Sequence, residues 1–213
     1  MRLSPFIAFI ILLLAFLLFT YSVKNYDTAE IGPQSSSVGY SHLNEAFRHA
    51  AEHFSGKDAI AYILSKYLFF IALATVPLYA LIGLMQLLQK DVSPQIWLLA
   101  AGYASIAIAY CVFEIWIVNY RPILEADGTL EASYPSSHTF IAIALLGMSA
   151  ITCHRNLKKW RTQFVVAHVA IAAIIVIGRA LSGVHWLTDI IGGILLASTL
   201  LCAFASIKKW QPR

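Results

Sequence analysis

Two long apolar runs are separated by Gly178-Arg179-Ala180-Leu181-Ser182-Gly183-Val184-His185-Trp186-Leu187-Thr188-Asp189. Arg, His and Asp are each costly beside a bilayer, so their grouping here calls for a compensating interaction. His185 and Asp189 are four residues apart, a spacing that on a helix stacks them on one face and brings the carboxylate to an imidazole N–H. An imidazole held in this way presents its other nitrogen to a substrate. Arg179 stands just before the Ser182-Gly183 turn, where its fork of donors can meet phosphate oxygens. A base, the group that orients it and an anion clamp thus lie close together in the chain.

Two further polar clusters border apolar runs. Asn119-Tyr120-Arg121-Pro122 closes one of them, since the residue before a proline is pushed out of helical geometry. Tyr134-Pro135-Ser136-Ser137-His138 opens the next, with proline suited to a first helical turn. A helix start offers unpaired backbone N–H groups and a positive dipole end, which suit an anion such as phosphate. Ser136 adds a hydroxyl there, and His138 an acid.

The elements that must position these residues are membrane helices. Of 213 residues, 59% are hydrophobic and only 12% charged, against about 25% charged in a soluble domain; the mean hydropathy is +0.72. Leu3 to Val23 is long enough to cross about 30 Å of hydrocarbon, with a cleaved signal peptide as the alternative reading. Apolar runs of roughly Ala61 to Leu88, Ile96 to Val118, Thr139 to Cys153, Phe164 to Ile177 and Trp186 to Ile207 follow, the fourth and fifth short unless they borrow flanking residues. The expectation is an all-α polytopic membrane protein with six transmembrane helices. Ser41 to Phe54 adds an interfacial amphipathic helix, with Leu43, Phe47, Ala50, Ala51 and Phe54 on one face and Glu45, His49, Glu52 and His53 on the other. His42, His49 and His53 read as its wet face.

Basic residues fall in every second connection: Arg2, Lys90, the Arg155 to Arg161 group, then Lys208, Lys209 and Arg213. This places both termini in the cytoplasm and the Arg121 to Pro135 and Ser182 loops outside a bacterial-type cytoplasmic (inner) membrane. The formal charge of +4 is scattered and not gathered in a stripe, which argues against nucleic-acid binding. Cys111, Cys153 and Cys202 lie far apart in or beside apolar runs and imply neither a disulfide framework nor a metal knuckle. The five tryptophans, Trp97, Trp116, Trp160, Trp186 and Trp210, lie mostly near span ends and read as interface anchors. Glu125, Asp127 and Glu131 read as a solvated loop, or as help in holding a divalent ion that arrives with a diphosphate.

The three clusters together resemble the type 2 phosphatidic acid phosphatases, or lipid phosphate phosphatases, in their bacterial membrane branch, which share their site with vanadium haloperoxidases. That family's pattern is Lys, six residues, Arg-Pro; then Pro-Ser-Gly-His; then Ser-Arg, five residues, His, three residues, Asp. Here the first appears as Glu114, six residues, Arg121-Pro122; the second as Pro135-Ser136-Ser137-His138; the third as Gly178-Arg179, five residues, His185, three residues, Asp189. The resemblance covers Glu114 to Gly193 closely and the six-span layout loosely. It implies a single membrane-embedded phosphatase domain over residues 1–213, with the first span and amphipathic segment in 1–60, two spans in 61–118 and the catalytic core in 119–207.

The resemblance further implies His185 as the nucleophile that forms a phosphohistidine, Asp189 as the group that holds its tautomer, and His138 as the general acid and then base. Arg121, Arg179, Ser136 and Ser137 would surround the phosphoryl oxygens, and no metal or other cofactor is required. The substrate would be a lipid phosphate or diphosphate, with undecaprenyl diphosphate and phosphatidylglycerol phosphate the leading choices. A phosphotransferase using the same intermediate and a non-catalytic lipid-binding or translocating protein are the alternatives. Three positions depart from the pattern. Ser137 replaces glycine, Gly178 replaces serine, and Glu114 replaces the lysine. Glu114 stands two turns before Arg121, so it is expected to orient Arg121 or Arg179 through a charge-assisted hydrogen bond.

Overall fold

The computed structural model describes residues 4–56, 59–152 and 159–210, and the side chains of residues 4–56, 59–152 and 159–208. Its helices are α1 (Pro5–Asn25), α2 (Ser41–Ala51), α3 (Ile60–Leu88), α4 (Pro94–Ile115), α5 (Ser137–Thr152), α6 (Arg161–Leu181) and α7 (Leu187–Trp210). Single 3-10 turns cover Pro33–Ser35 and Glu52–Phe54. Pro5 and Pro94 sit in first helical turns, where a missing N–H costs nothing.

α1, α3, α4, α6 and α7 are long and apolar enough to cross a bilayer, and the chain is an integral membrane protein. The fourth expected span is the 16-residue α5, about 24 Å long against about 30 Å of hydrocarbon, so the count of six depends on that helix. α6 outruns the sequence estimate, beginning at Arg161, because polar residues of its first turn continue the helix. α4 stops at Ile115 instead of Val118: Trp116 has already left helical geometry. Cys111 and Cys202 are free thiols, whereas Cys153 lies outside the described residues.

α5 and α7 form the centre. α1 and α5 pack along α7, α6 and α3 pack on α5, and α4 covers α5 and α7. Phe16, Leu98, Phe140, Leu145, Met148, Leu196 and Phe204 fill the space between them. Tyr134, just before α5, is the pin: its ring meets Phe16, Phe19 and Phe113, and its hydroxyl pairs with Thr20 Oγ1 at 2.7 Å. This docking needs Gly192 and Gly193 of α7. A Cβ at the former would stand 2.4 Å from the Tyr134 ring, and one at the latter 3.0 Å from Thr139. The starts of α5 and α7 are thereby brought into contact, with Ser136 N–H donating to the Asp189 carbonyl at 3.0 Å.

α2 packs against α7. Ser41, Asn44 and Ala51 are buried, while Leu43 and Phe54 are exposed. The reason is Asn44, whose Oδ1 accepts the Thr188 N–H at 3.2 Å and whose Nδ2 donates to Thr188 Oγ1 at 3.0 Å and to the Gly39 carbonyl at 2.8 Å. One of the free N–H groups at the start of α7 is thus satisfied from another helix. His42 is exposed and pairs with Asp27 at 2.7 Å, holding that carboxyl below its ordinary value.

Candidate active site

The segment between α4 and α5 folds back on itself as a narrow ribbon. Ser133 N–H donates to the Asn119 carbonyl, Arg121 N–H to the Glu131 carbonyl, and Glu125 N–H to the Thr129 carbonyl, with Tyr120 bridged to Ala132. The ribbon carries Asn119, Arg121 and Ser133 toward the start of α7. Trp186 ties it down, its Nε1–H donating to the Tyr120 carbonyl at 2.8 Å. Trp186 is therefore buried and is not an interface anchor, while Trp97, Trp116 and Trp160 are exposed. The side chain of Trp210 lies outside the described residues.

His185 does not share a helix with Asp189, because α7 begins only at Leu187. Asp189 sits in the first turn of α7, fully buried, and its Oδ2 accepts the Trp186 N–H at 2.9 Å in the manner of a capping box. The same oxygen accepts the Ser133 hydroxyl at 2.5 Å, and Oδ1 accepts Asn119 Nδ2 at 3.4 Å. His185 Nδ1 is 3.8 Å from Asp189 Oδ2, too far for a hydrogen bond, but 3.0 Å from Ser133 Oγ. The expected His–Asp pair is thus bridged by a serine. Burial pushes the His185 imidazole below its ordinary value; the two arginines push the same way and Asp189 opposes them.

Arg179, 2% exposed, comes from the last turn of α6, and its guanidinium lies 5.1 Å from the centre of the Tyr62 ring on α3. α3 reaches it because residue 178 is glycine: a Cβ there would stand 2.6 Å from the Ala61 carbonyl oxygen. That close approach accounts for glycine where the related pattern has serine. It also brings Lys66, whose Nζ is 6.0 Å from the same Tyr62 ring, and Phe69, whose ring centre is 4.3 Å from that of His138. Arg121, Arg179, His138 and His185 lie within electrostatic reach of one another.

Eight buried side-chain polar atoms have no hydrogen-bond partner among the described residues, and five belong to residues singled out from the sequence: Arg121 Nε, Ser136 Oγ, His138 Nδ1, Arg179 Nε and His185 Nε2. Native interiors leave few such atoms, so their concentration in one place marks a surface shaped for a polar ligand. Ser136 precedes α5, yet its hydroxyl caps nothing, which leaves it free for that ligand.

Other residues stand differently from expectation. Arg121 does not meet Glu114; its Nη2 pairs with Glu131 at 2.8 Å and its Nη1 with Glu125 at 3.6 Å. Two of the three loop acids are therefore turned onto an arginine, while Asp127 takes the Thr129 hydroxyl and N–H. Glu114 is exposed beside the Tyr110 hydroxyl and, among the described residues, pairs with neither arginine. The cause is the break at Trp116, which destroys the helical register that would have set residues 114 and 121 on one face. Glu114→Gln should accordingly keep turnover within about threefold, under 1 kcal/mol in the barrier; a larger loss in steady-state assays would restore Glu114 as a partner of the site. Ser137 lines a narrow recess with Tyr110, Glu114 and Ser133. Burial and the neighbouring Glu125 push the Glu131 carboxyl above its ordinary value, with Arg121 opposing them.

Asn44, Lys66, Tyr62 and Ser133 escaped sequence reasoning. Lys66 alone left a signal, as a cation inside an apolar run. The others belong to no local pattern, since their partners are 52 to 144 residues away or on another helix.

No curated protein sequence matches the chain. The crystal structure of a transmembrane PAP2 type phosphatidylglycerolphosphate phosphatase from Bacillus subtilis superposes with a TM-score of 0.70 at 20% identity, covering 99% of this chain and 98% of that one. The two share a fold. The sequence profile of the PAP2 superfamily matches residues 115–213, the stretch that holds the ribbon, α5, α6 and α7. That match places residues 115–213 in the PAP2 superfamily.

Proposed function

We propose that this protein is a lipid phosphatase that hydrolyses a phosphate from a lipid phosphate or diphosphate through a phosphohistidine on His185. The observation that carries the reading is the set of partnerless buried atoms: one imidazole nitrogen, two guanidinium nitrogens, a hydroxyl and a second imidazole, gathered at one end of a membrane bundle. In this reading His185 Nε2 attacks phosphorus while the bond from phosphorus to the lipid oxygen breaks. His138 gives that oxygen a proton. His138 then takes a proton from water, whose oxygen attacks phosphorus; the P–N bond breaks and inorganic phosphate leaves. Arg121, Arg179 and the Ser136 hydroxyl hold the non-bridging oxygens, where phosphoryl transfer most needs charge stabilisation. A phosphate entering the site competes with Glu131 for Arg121.

The site's place among apolar helices supports a lipid substrate, with phosphatidylglycerol phosphate and undecaprenyl diphosphate the leading choices, the first also being the substrate named for the protein whose fold this chain shares. The site faces the outside of a bacterial cytoplasmic membrane in this reading, with both termini inside. Phosphate release from a panel of lipid phosphates and diphosphates, measured on purified protein in detergent with chelator present, tests the proposal. Phosphate release assigns a hydrolase; transfer to a labelled acceptor lipid without release assigns the phosphotransferase; neither assigns a non-catalytic lipid-binding member.

Lys66 supplies a further cation at the rim, beside the aromatic ring that Arg179 covers and within reach of His138. Lys66→Gln should raise KM about tenfold, the equivalent of roughly 1.4 kcal/mol and within the range of a hydrogen bond to a charged group, with kcat changed far less. Steady-state kinetics on one substrate decide it, and an unchanged KM would reduce Lys66 to a side chain reaching for the interface.

A further inference from the structure

We infer that Ser133 is a positioning residue that sets the tautomer of His185, so that the hydrogen bonding between nucleophile and carboxylate runs through a hydroxyl. The inference rests on the reading of His185 as nucleophile and assigns a role to a side chain outside the three motifs. Ser133 Oγ is 2.5 Å from Asp189 Oδ2 and 3.0 Å from His185 Nδ1, while Nδ1 and Oδ2 are 3.8 Å apart. All three residues are buried.

Donor and acceptor bookkeeping fixes the direction of the protons. A carboxylate oxygen can only accept, so the one Ser133 proton points to Asp189. What the hydroxyl turns toward His185 is a lone pair. Nδ1 must then carry the hydrogen and donate it, and Nε2, which is buried without a partner, is left bare. A bare Nε2 is the atom an attack on phosphorus requires. When phosphorus bonds to Nε2 the ring becomes positive, and that charge is felt by Asp189 through the polarised hydroxyl. Asp189 is held in place by three donors that are not the histidine: Trp186 N–H, Asn119 Nδ2 and Ser133 itself. Its orientation is therefore independent of what happens at His185. The ribbon positions the bridge, since the Ser133 N–H is fixed on the Asn119 carbonyl at 3.0 Å.

Removing the hydroxyl leaves Nδ1 facing a gap. The imidazole can then take the opposite tautomer, in which Nε2 carries the hydrogen and cannot attack, while the phosphate contacts remain. Ser133→Ala should lose about 10- to 100-fold in kcat with KM within about twofold, a loss of transition-state and not ground-state interaction. On 15N-histidine-labelled protein, with the His185 signals assigned by difference from His185→Gln, the wild type should show a hydrogen on Nδ1 and a bare Nε2. Ser133→Ala should show a mixture of tautomers. Should the alanine variant fail to fold, the same two readouts on Ser133→Cys, whose thiol is a weak donor, take its place. A variant with wild-type kcat, or one that loses kcat with its tautomer unchanged, overturns the inference. A wild type that releases no phosphate from any lipid overturns the enzymatic reading on which the inference rests, and the tautomer spectra still report whether the serine bridge exists.

Discussion

His185→Ala is expected to lose at least about 10⁴-fold in kcat, because the loss of a covalent nucleophile is rarely rescued by its neighbours. The fold should survive. Asp189 keeps its Trp186, Asn119 and Ser133 donors without the imidazole, so the deletion strands no buried charge. The pH dependence follows from the direction of the His185 shift. Burial depresses its pKa below 6.5, so the reactive neutral ring persists on the acid side of that value, and kcat/KM should fall only once the pH drops through the folded-state value. Stability runs the same way. Below pH 6.5 the unfolded chain takes up a proton that the folded ring refuses, so the contribution is present above 6.5 and lost as pH falls. His185→Ala should flatten that part of the stability curve. Phosphate release and thermal unfolding across pH check both halves, and residual turnover within tenfold of wild type would remove His185 as the nucleophile.

Arg179→Lys should cost about 10²- to 10³-fold in kcat even though charge is retained. This is the size of effect seen when one transition-state donor is removed from a preorganised site. Lysine is a point charge on a flexible stem, whereas guanidinium presents a planar fork and stacks on an aromatic face. Both properties bear here: the guanidinium carbon lies 5.1 Å from the centre of the Tyr62 ring, and Nε is buried with no partner among the described residues. The lysine ammonium would have neither the ring geometry nor two parallel donors for the phosphoryl oxygens. Turnover measured beside thermal unfolding separates lost chemistry from lost folding. A folded lysine variant within tenfold of wild type would mean that net charge, and not the fork, is what the site needs from position 179.

Hydropathy and spacing alone establish that this is a helical membrane protein, and three short motifs lead to the superfamily that the profile match supports. The motif residues were legible because each motif is local. Pro135 and Pro122 punctuate helix ends, and polar residues at such ends stand out against apolar flanks. Reading stopped where partners come from elsewhere in the chain. Glu114 looked like the partner of Arg121 only under the assumption of one unbroken helix; the break at Trp116 gives Arg121 to Glu131 and Glu125. Asn44 left no signal in the amphipathic pattern of its segment, yet it is buried because Thr188 needs an acceptor. Trp186 looked like an anchor at a span end, yet the ribbon offers it the Tyr120 carbonyl.

His185 and Asp189 show the division most clearly. Their residue types and four-residue spacing are properties of the sequence, but the start of α7 falls between them, and the distance that results leaves room for a third group. That Ser133 fills it depends on the ribbon register and on the glycines that let α5 dock against α7. Hydrophobic pattern acts through residues three or four apart and survives in any one sequence. A hydrogen bond across 52 or 56 residues is chosen by packing, and only the folded chain reveals it.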